Sequence, residues 1–178
     1  MRELEISGRK RDFMTRDEER AIEWDCQKVM RQYYYYVDHH RFEEAVQLFA
    51  EDITWKVMGV ELKGREELLE ALYGGLGNDT IRHVLTNVIV NVIDKNNAEL
   101  WNYTTNYYSR EGRREDLNGP LKFEGPHRLG DMYAKLRRSG DNWQIVAREK
   151  GKHIFRRKNE PVALEDWAEK EGKFAPTV

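Results

Sequence analysis

One change of rhythm governs what this chain can fold into. Up to Gly74-Gly75 its apolar residues recur mainly at helical spacing, and beyond that pair they follow the alternation of extended chain. Ile22, Cys26, Val29, Met30, Tyr33 and Val37 form one helical face, opened by a capping box in which Glu18 lies three residues beyond Thr15. A break at His39-His40 leads to a second, shorter helix with Phe42, Ala45, Val46 and Phe49 on its buried side. Asp52 to Val57 and Val60 to Lys63 form a short strand pair, and Gly64 opens a third helix that the two glycines stop. Four long strands follow, at residues 80–93, 98–110, 127–138 and 142–155, with turns at Asp94-Lys95-Asn96-Asn97 and Ser139-Gly140-Asp141 and a long polar loop over 111–126. Helices kept apart from a run of antiparallel strands indicate an α+β fold, with helices packed on one face of the sheet. Strands of about 12 residues exceed the usual ~5–6, so this sheet must twist and curl, and its concave side can enclose a cone-shaped pocket.

At 178 residues the chain is long enough for one domain with a sizeable core. The expected boundaries are an arm over 1–14, a domain over 15–158, and a tail over 159–178 carrying one short helix. Charged residues make up 35% of the sequence yet sum to a formal charge of -2, which argues against nucleic acid as the principal partner. Neither a membrane-spanning run nor a signal-peptide core is evident, so a cytoplasmic protein is expected. The single cysteine, Cys26, rules out an internal disulfide and lies on the apolar stripe of the first helix, where a buried thiol is expected. No His or Cys spacing suits a metal, and there is no phosphate-binding glycine loop, so neither metal nor cofactor is expected.

Two ionisable residues stand out. Asp38 closes the tyrosine-rich end of the first helix, where a carboxylate is unfavourable against the negative pole of the dipole unless a cation attends it. His83 lies within the strand Ile81-Arg82-His83-Val84-Leu85-Thr86-Asn87-Val88. Strict alternation puts it on one face with Ile81, Leu85 and Ile89. A carboxylate set against an imidazole fixes its tautomer and stabilises the imidazolium, which makes a general base. Read singly, Asp38 is more readily a solvated helix end, and His83 more readily a hydrogen-bonded core residue, than either is a catalyst. Tyr33 is the inward candidate of the tyrosine run. The strand after His83 carries Trp101, Tyr103, Thr105 and Tyr107 on one face and Asn102, Thr104, Asn106 and Tyr108 on the other, so one face can be a polar pocket wall. Asp131, Tyr133 and Arg148 are further candidates, Arg148 as a partner for an anion or as a surface ion pair.

The segment from Tyr36 to Trp55, with an acid ending the first helix and Phe49-Ala50-Glu51-Asp52 ahead of a strand, resembles the SnoaL-like branch of the nuclear-transport-factor-2-like superfamily. His83-Val84-Leu85-Thr86-Asn87 resembles that branch's His-x-x-x-Asn strand, and Gly140-Asp141-Asn142-Trp143-Gln144-Ile145 its last strand. The resemblance covers roughly residues 15 to 155 and implies a curved sheet around a pocket with the first helix across its mouth. Dehydratases and dehydrochlorinases of that branch (the scytalone dehydratase, bile-acid 7α-dehydratase and hexachlorocyclohexane dehydrochlorinase types) pair a helix-end acid with a strand histidine, which maps onto Asp38 and His83. A tyrosine five residues before the acid maps onto Tyr33. The second acid of the bile-acid enzyme falls at Asn106 or its neighbours, and the second histidine of scytalone dehydratase falls nearest Tyr108, so the leaving-group acid has no obvious counterpart.

The resemblance therefore implies a cofactor-independent lyase or isomerase acting on a hydrophobic, cyclic small molecule. His83 is the expected base and Asp38 its orienting acid, with Tyr33, Tyr103, Asn106 and Arg148 expected to contact substrate. A homodimer or homotrimer is the expected assembly. The same strand pattern is similar to the small (β) subunit of ring-hydroxylating dioxygenases, which implies a dioxygenase large subunit as the alternative partner. A ligand-binding or polyketide-cyclase-like protein is the third reading.

Overall fold

The computed structural model describes residues 14–57, 60–121 and 125–156. The expected arm, apart from Met14, and the expected tail with its short helix lie outside the described residues. Helix α1 spans Arg16–Asp38, α2 Phe42–Gln47 and α3 Gly64–Leu76. The strands are β1 Phe49–Val57, β2 Val60–Lys63, β3 Thr80–Val92, β4 Asn97–Ser109, β5 Arg128–Ser139 and β6 Asn142–Arg156. They form one sheet in the order β2-β1-β6-β5-β4-β3, antiparallel throughout except where β1 runs parallel to β6. Three helices over one large sheet are the α+β fold that the periodicity predicts.

Local chemistry starts α1 where expected. The Thr15 hydroxyl accepts from the Glu18 amide, and the Thr15 amide donates to the Glu18 carboxylate at 2.7 Å. The buried stripe of α1 then runs through Cys26, Met30, Tyr33, Tyr34, Val37 and Asp38. Burial pushes the Cys26 thiol up to about 12, as befits a small core residue. Helix α3 does not stop at Gly74-Gly75 but continues to Leu76. Gly75 is buried in the helix packing, and tertiary contact outweighs the ~1 kcal/mol propensity cost of a glycine. Strand β1 likewise starts earlier than its polar residues suggest, because Phe49 and Ala50 are buried.

The sheet's inner face is set by β4, whose alternation buries Ala98, Leu100, Asn102, Thr104 and Asn106. Helix α1 lies against β3, β4 and β6, and the core fills the space between with Met30, Phe42, Phe49, Leu100 and Ile145. Strict alternation fails in β3. Its register against β4 shifts between Thr86 and Ile89, and Asn87 there takes a left-handed backbone with φ of 51°. His83 and Leu85 pair with Asn106 and Thr104 on the inner face, but beyond the bulge Ile89 pairs with Trp101 and turns outward. Ile89 therefore does not share the face of His83.

Candidate active site

The last turn of α1 carries the site's first half. Tyr33, Tyr34, Val37 and Asp38 are all buried there, with no basic residue in the helix's own last turn. Arg82 of β3 supplies the missing cation: its Nη1 donates to the Asp38 main-chain carbonyl at 2.6 Å and to its neighbour Ile81's carbonyl at 2.7 Å. A guanidinium on a terminal helix carbonyl offsets the dipole that would otherwise disfavour a carboxylate at this end.

The Asp38 side chain then meets His83 at two points. The His83 amide donates to Asp38 Oδ2 at 2.9 Å, and His83 Nδ1 lies 2.5 Å from Asp38 Oδ1. Both side chains are more than nine-tenths buried, at 9% and 8% exposure. A carboxylate can only accept, so Nδ1 carries the proton and the lone pair is on Nε2, the nitrogen directed away from Asp38. Burial holds the imidazole below its ordinary range; the Asp38 hydrogen bond and charge work against that, while Arg128 and Arg148 reinforce it. The ring is therefore neutral near pH 7, the form that accepts a proton.

Tyr34 packs on the imidazole with ring centroids 4.7 Å apart. Its hydroxyl accepts from Arg148 Nη2 at 2.7 Å and shares a 3.1 Å hydrogen bond with Thr104 Oγ1. Thr104 Oγ1 in turn accepts from Asn102 Nδ2 at 2.9 Å. Arg148 is 3% exposed and lies 4.3 Å from the Tyr33 ring centre, 4.8 Å from that of Trp55 and 5.1 Å from that of Tyr34. Its cation is met by aromatic faces and a phenol instead of the surface carboxylate that the sequence left open.

The sequence-derived candidates thus divide. Asp38, His83 and Asn106 meet on the inner face, with Asn106 opposite His83 in the β3–β4 register. Arg148 lies beneath them, joined through Tyr34, and Tyr33 stacks edge-on against Tyr34 and Phe49, over that guanidinium. Tyr103 is not brought to them: it pairs with Thr86 and Asp131 on the outer face and is 42% exposed. Tyr34, Thr104 and Asn102 were missed as individual residues. Met30, Tyr34 and Asp38 lie four apart on one helix ridge, a spacing that could have picked Tyr34 over Tyr33. Tyr108 has its phenol donated to the Asp79 carboxylate, and its ring stacks on the buried His127 at 5.2 Å. Among the described residues, no three His, Cys, Asp or Glu side chains gather as metal ligands, and no helix is long and apolar enough to cross a membrane.

Known proteins agree on the architecture. The structure is similar to that of a proposed scytalone dehydratase from Novosphingobium aromaticivorans, at 16% identity with a TM-score of 0.69, covering 83% of this chain and 93% of that one. It is also similar to a point variant of a Mycobacterium tuberculosis protein of unknown function, at 16% identity with a TM-score of 0.66 over 88% of this chain and 90% of that one. A third similarity is to the β subunit of a proposed aromatic-ring-hydroxylating dioxygenase from N. aromaticivorans, at 12% identity with a TM-score of 0.62 over 78% and 93% of the two chains. At such identities these likenesses speak for the fold alone, and among curated proteins none matches the sequence. The model of the SnoaL-like domain matches residues 18–149, most of the chain. On that match and this architecture, the chain belongs to the SnoaL-like family of the nuclear-transport-factor-2-like superfamily.

Proposed function

We propose that this protein is a cofactor-independent lyase or isomerase that removes a carbon-bound proton from a hydrophobic cyclic small molecule. His83 Nε2 accepts the proton, and Asp38 fixes the tautomer and stabilises the imidazolium. The observation that carries this reading is the contact between a buried carboxylate and a buried imidazole through two hydrogen bonds, 2.9 Å at the His83 amide and 2.5 Å at Nδ1. Structural packing alone needs no ionisable pair at this depth, since burying one is costly unless it is used or exceptionally well satisfied. On this reading Asn106, Arg148 and Tyr33, all buried, contact the substrate.

The test is hydrogen exchange beside the carbonyl of cyclic ketones in deuterium oxide, followed by mass spectrometry. Wild-type protein accelerates exchange, and His83→Ala and Asp38→Asn lose it by about a hundredfold or more, the range for a positioned base. Retained exchange in a folded His83→Ala protein would falsify the assignment.

A second reading has its own support in the likeness to a dioxygenase β subunit. On that reading the chain co-purifies with an iron-bearing large subunit when the two are expressed together, and the dyad is structural. On the favoured reading the chain assembles with itself, as a homodimer or homotrimer, through the outer sheet face that carries exposed Val84, Ile89 and Tyr103.

A further inference from the structure

A base alone completes an isomerisation but not an elimination, which also needs a group to protonate the departing oxygen. We propose that Tyr34 is that acid, an inference that rests on His83 being the base. Three hydrogen bonds give the phenol a direction. Arg148 Nη2 can only donate, so it occupies one acceptor position on the Tyr34 oxygen at 2.7 Å. Asn102 Nδ2 donates to Thr104 Oγ1 at 2.9 Å, which leaves the threonine's own proton free to go to Tyr34, 3.1 Å away. When the threonine is the donor in that bond, both acceptor positions of the phenol are filled and its own proton is left for a substrate. Its ring lies against the imidazole, with centroids 4.7 Å apart, which puts the proposed acid and base on adjacent side chains.

Of the other phenols, Tyr33 is packed edge-on against Tyr34 and Phe49 and also bonds Arg148, Tyr108 donates its proton to Asp79, and Tyr103 lies on the other face of the sheet. Asn106, opposite His83 in the strand register, is a carboxamide and has no acidic proton to transfer.

The step balances without a co-reactant. His83 Nε2 takes the proton from carbon, and the C–H electron pair becomes the new π bond. The bond to the leaving oxygen breaks with its pair on oxygen, which takes the Tyr34 proton. Arg148 and Thr104 then both donate to the phenolate, and the imidazolium returns the proton through water once product has left.

Benzisoxazoles test this directly, because removal of their ring C–H proton is coupled to expulsion of a phenol oxygen whose acidity is set by substituents. The expected result is that His83→Ala loses turnover across the series. Tyr34→Phe instead loses little, less than about tenfold, with the nitro-substituted compound, whose leaving oxygen needs no acid. With the unsubstituted compound it loses about a hundredfold or more. Thr104→Val, which keeps the side-chain volume, shows the same trend more weakly, and thermal melting monitors folding of each variant. An equal loss across the series, or none, in Tyr34→Phe with His83→Ala inactive overturns the acid role and leaves the base standing. Turnover in wild-type protein no faster than in His83→Ala overturns both.

Discussion

At the scale of single residues, burial decides the charge of His83, and the sign of that effect fixes a pH dependence. In the unfolded chain the imidazole titrates near about 6.5. In the folded protein burial puts it lower, against the opposing pull of Asp38. Between those two values the unfolded chain holds more protons than the folded one, so stability rises with pH across that interval and levels off above it. As pH falls below about 6.5 the contribution is progressively lost, because folding then requires a proton to leave. Urea titrations at pH 7 and pH 5 check this: His83→Gln loses less stability than wild type over that interval. Equal losses would mean that the ring titrates alike in the folded and unfolded chain, and a smaller loss in wild type would mean that it is charged in the native state, a base already protonated and unable to do the chemistry proposed. The residues that carry this prediction were partly legible. Asp38 showed itself by standing at the wrong end of a helix dipole, and His83 by its motif. Arg82, which makes Asp38 tolerable, and Tyr34, which covers His83, were not, since a capping cation from another strand and the choice between adjacent tyrosines both depend on how α1 rolls against the sheet.

At the scale of elements, the helices and strands followed from periodicity because each has one buried face and one wet one. The departures share a cause, which is that tertiary contact overrode a local signal. Gly74-Gly75 reads as a stop, yet α3 passes through it because Gly75 is buried against the neighbouring elements. The parallel pairing of β1 with β6 was invisible, since which strand lies beside which is decided by the arrangement of the whole sheet. The bulge in β3 was also invisible, because nothing in Thr86-Asn87-Val88 departs from alternation. Asparagine tolerates the left-handed backbone better than other residues with a Cβ. A specific consequence follows at this exposed position: Asn87→Val costs about 1–2 kcal/mol in urea denaturation, whereas Asn87→Gly is close to neutral. Matching costs for the two would show that the asparagine's side-chain contacts, not its backbone, hold the bulge. The bulge matters to the site because it lets β3 keep His83 and Leu85 inward while turning Ile89 outward.

At the scale of the whole molecule, among the described residues three helices cover one face of a six-stranded sheet and leave the other to be accounted for. That outer face holds Trp101 stacked on Tyr133 at 5.2 Å, with Val84, Ile89 and Tyr103 exposed around them. Exposed apolar residues gathered on a sheet face are unfavourable in water, which supports the proposal that this face is a contact surface. A second copy of the chain is the proposed occupant. An unpaired charge in such a contact costs several kcal/mol, and every 1.4 kcal/mol is a tenfold change in affinity, so Ile89→Lys weakens association by about a hundredfold or more. Sedimentation equilibrium therefore finds wild type at two or three times the monomer mass and Ile89→Lys at the monomer mass at the same concentration. Because Ile89 lies on the face opposite His83, the monomeric variant keeps its hydrogen-exchange activity, which separates loss of assembly from loss of chemistry. A wild-type monomer at high micromolar concentration leaves the face open for a different partner. The dioxygenase large subunit is then the first to try, and the dyad would have to be reread as part of its support.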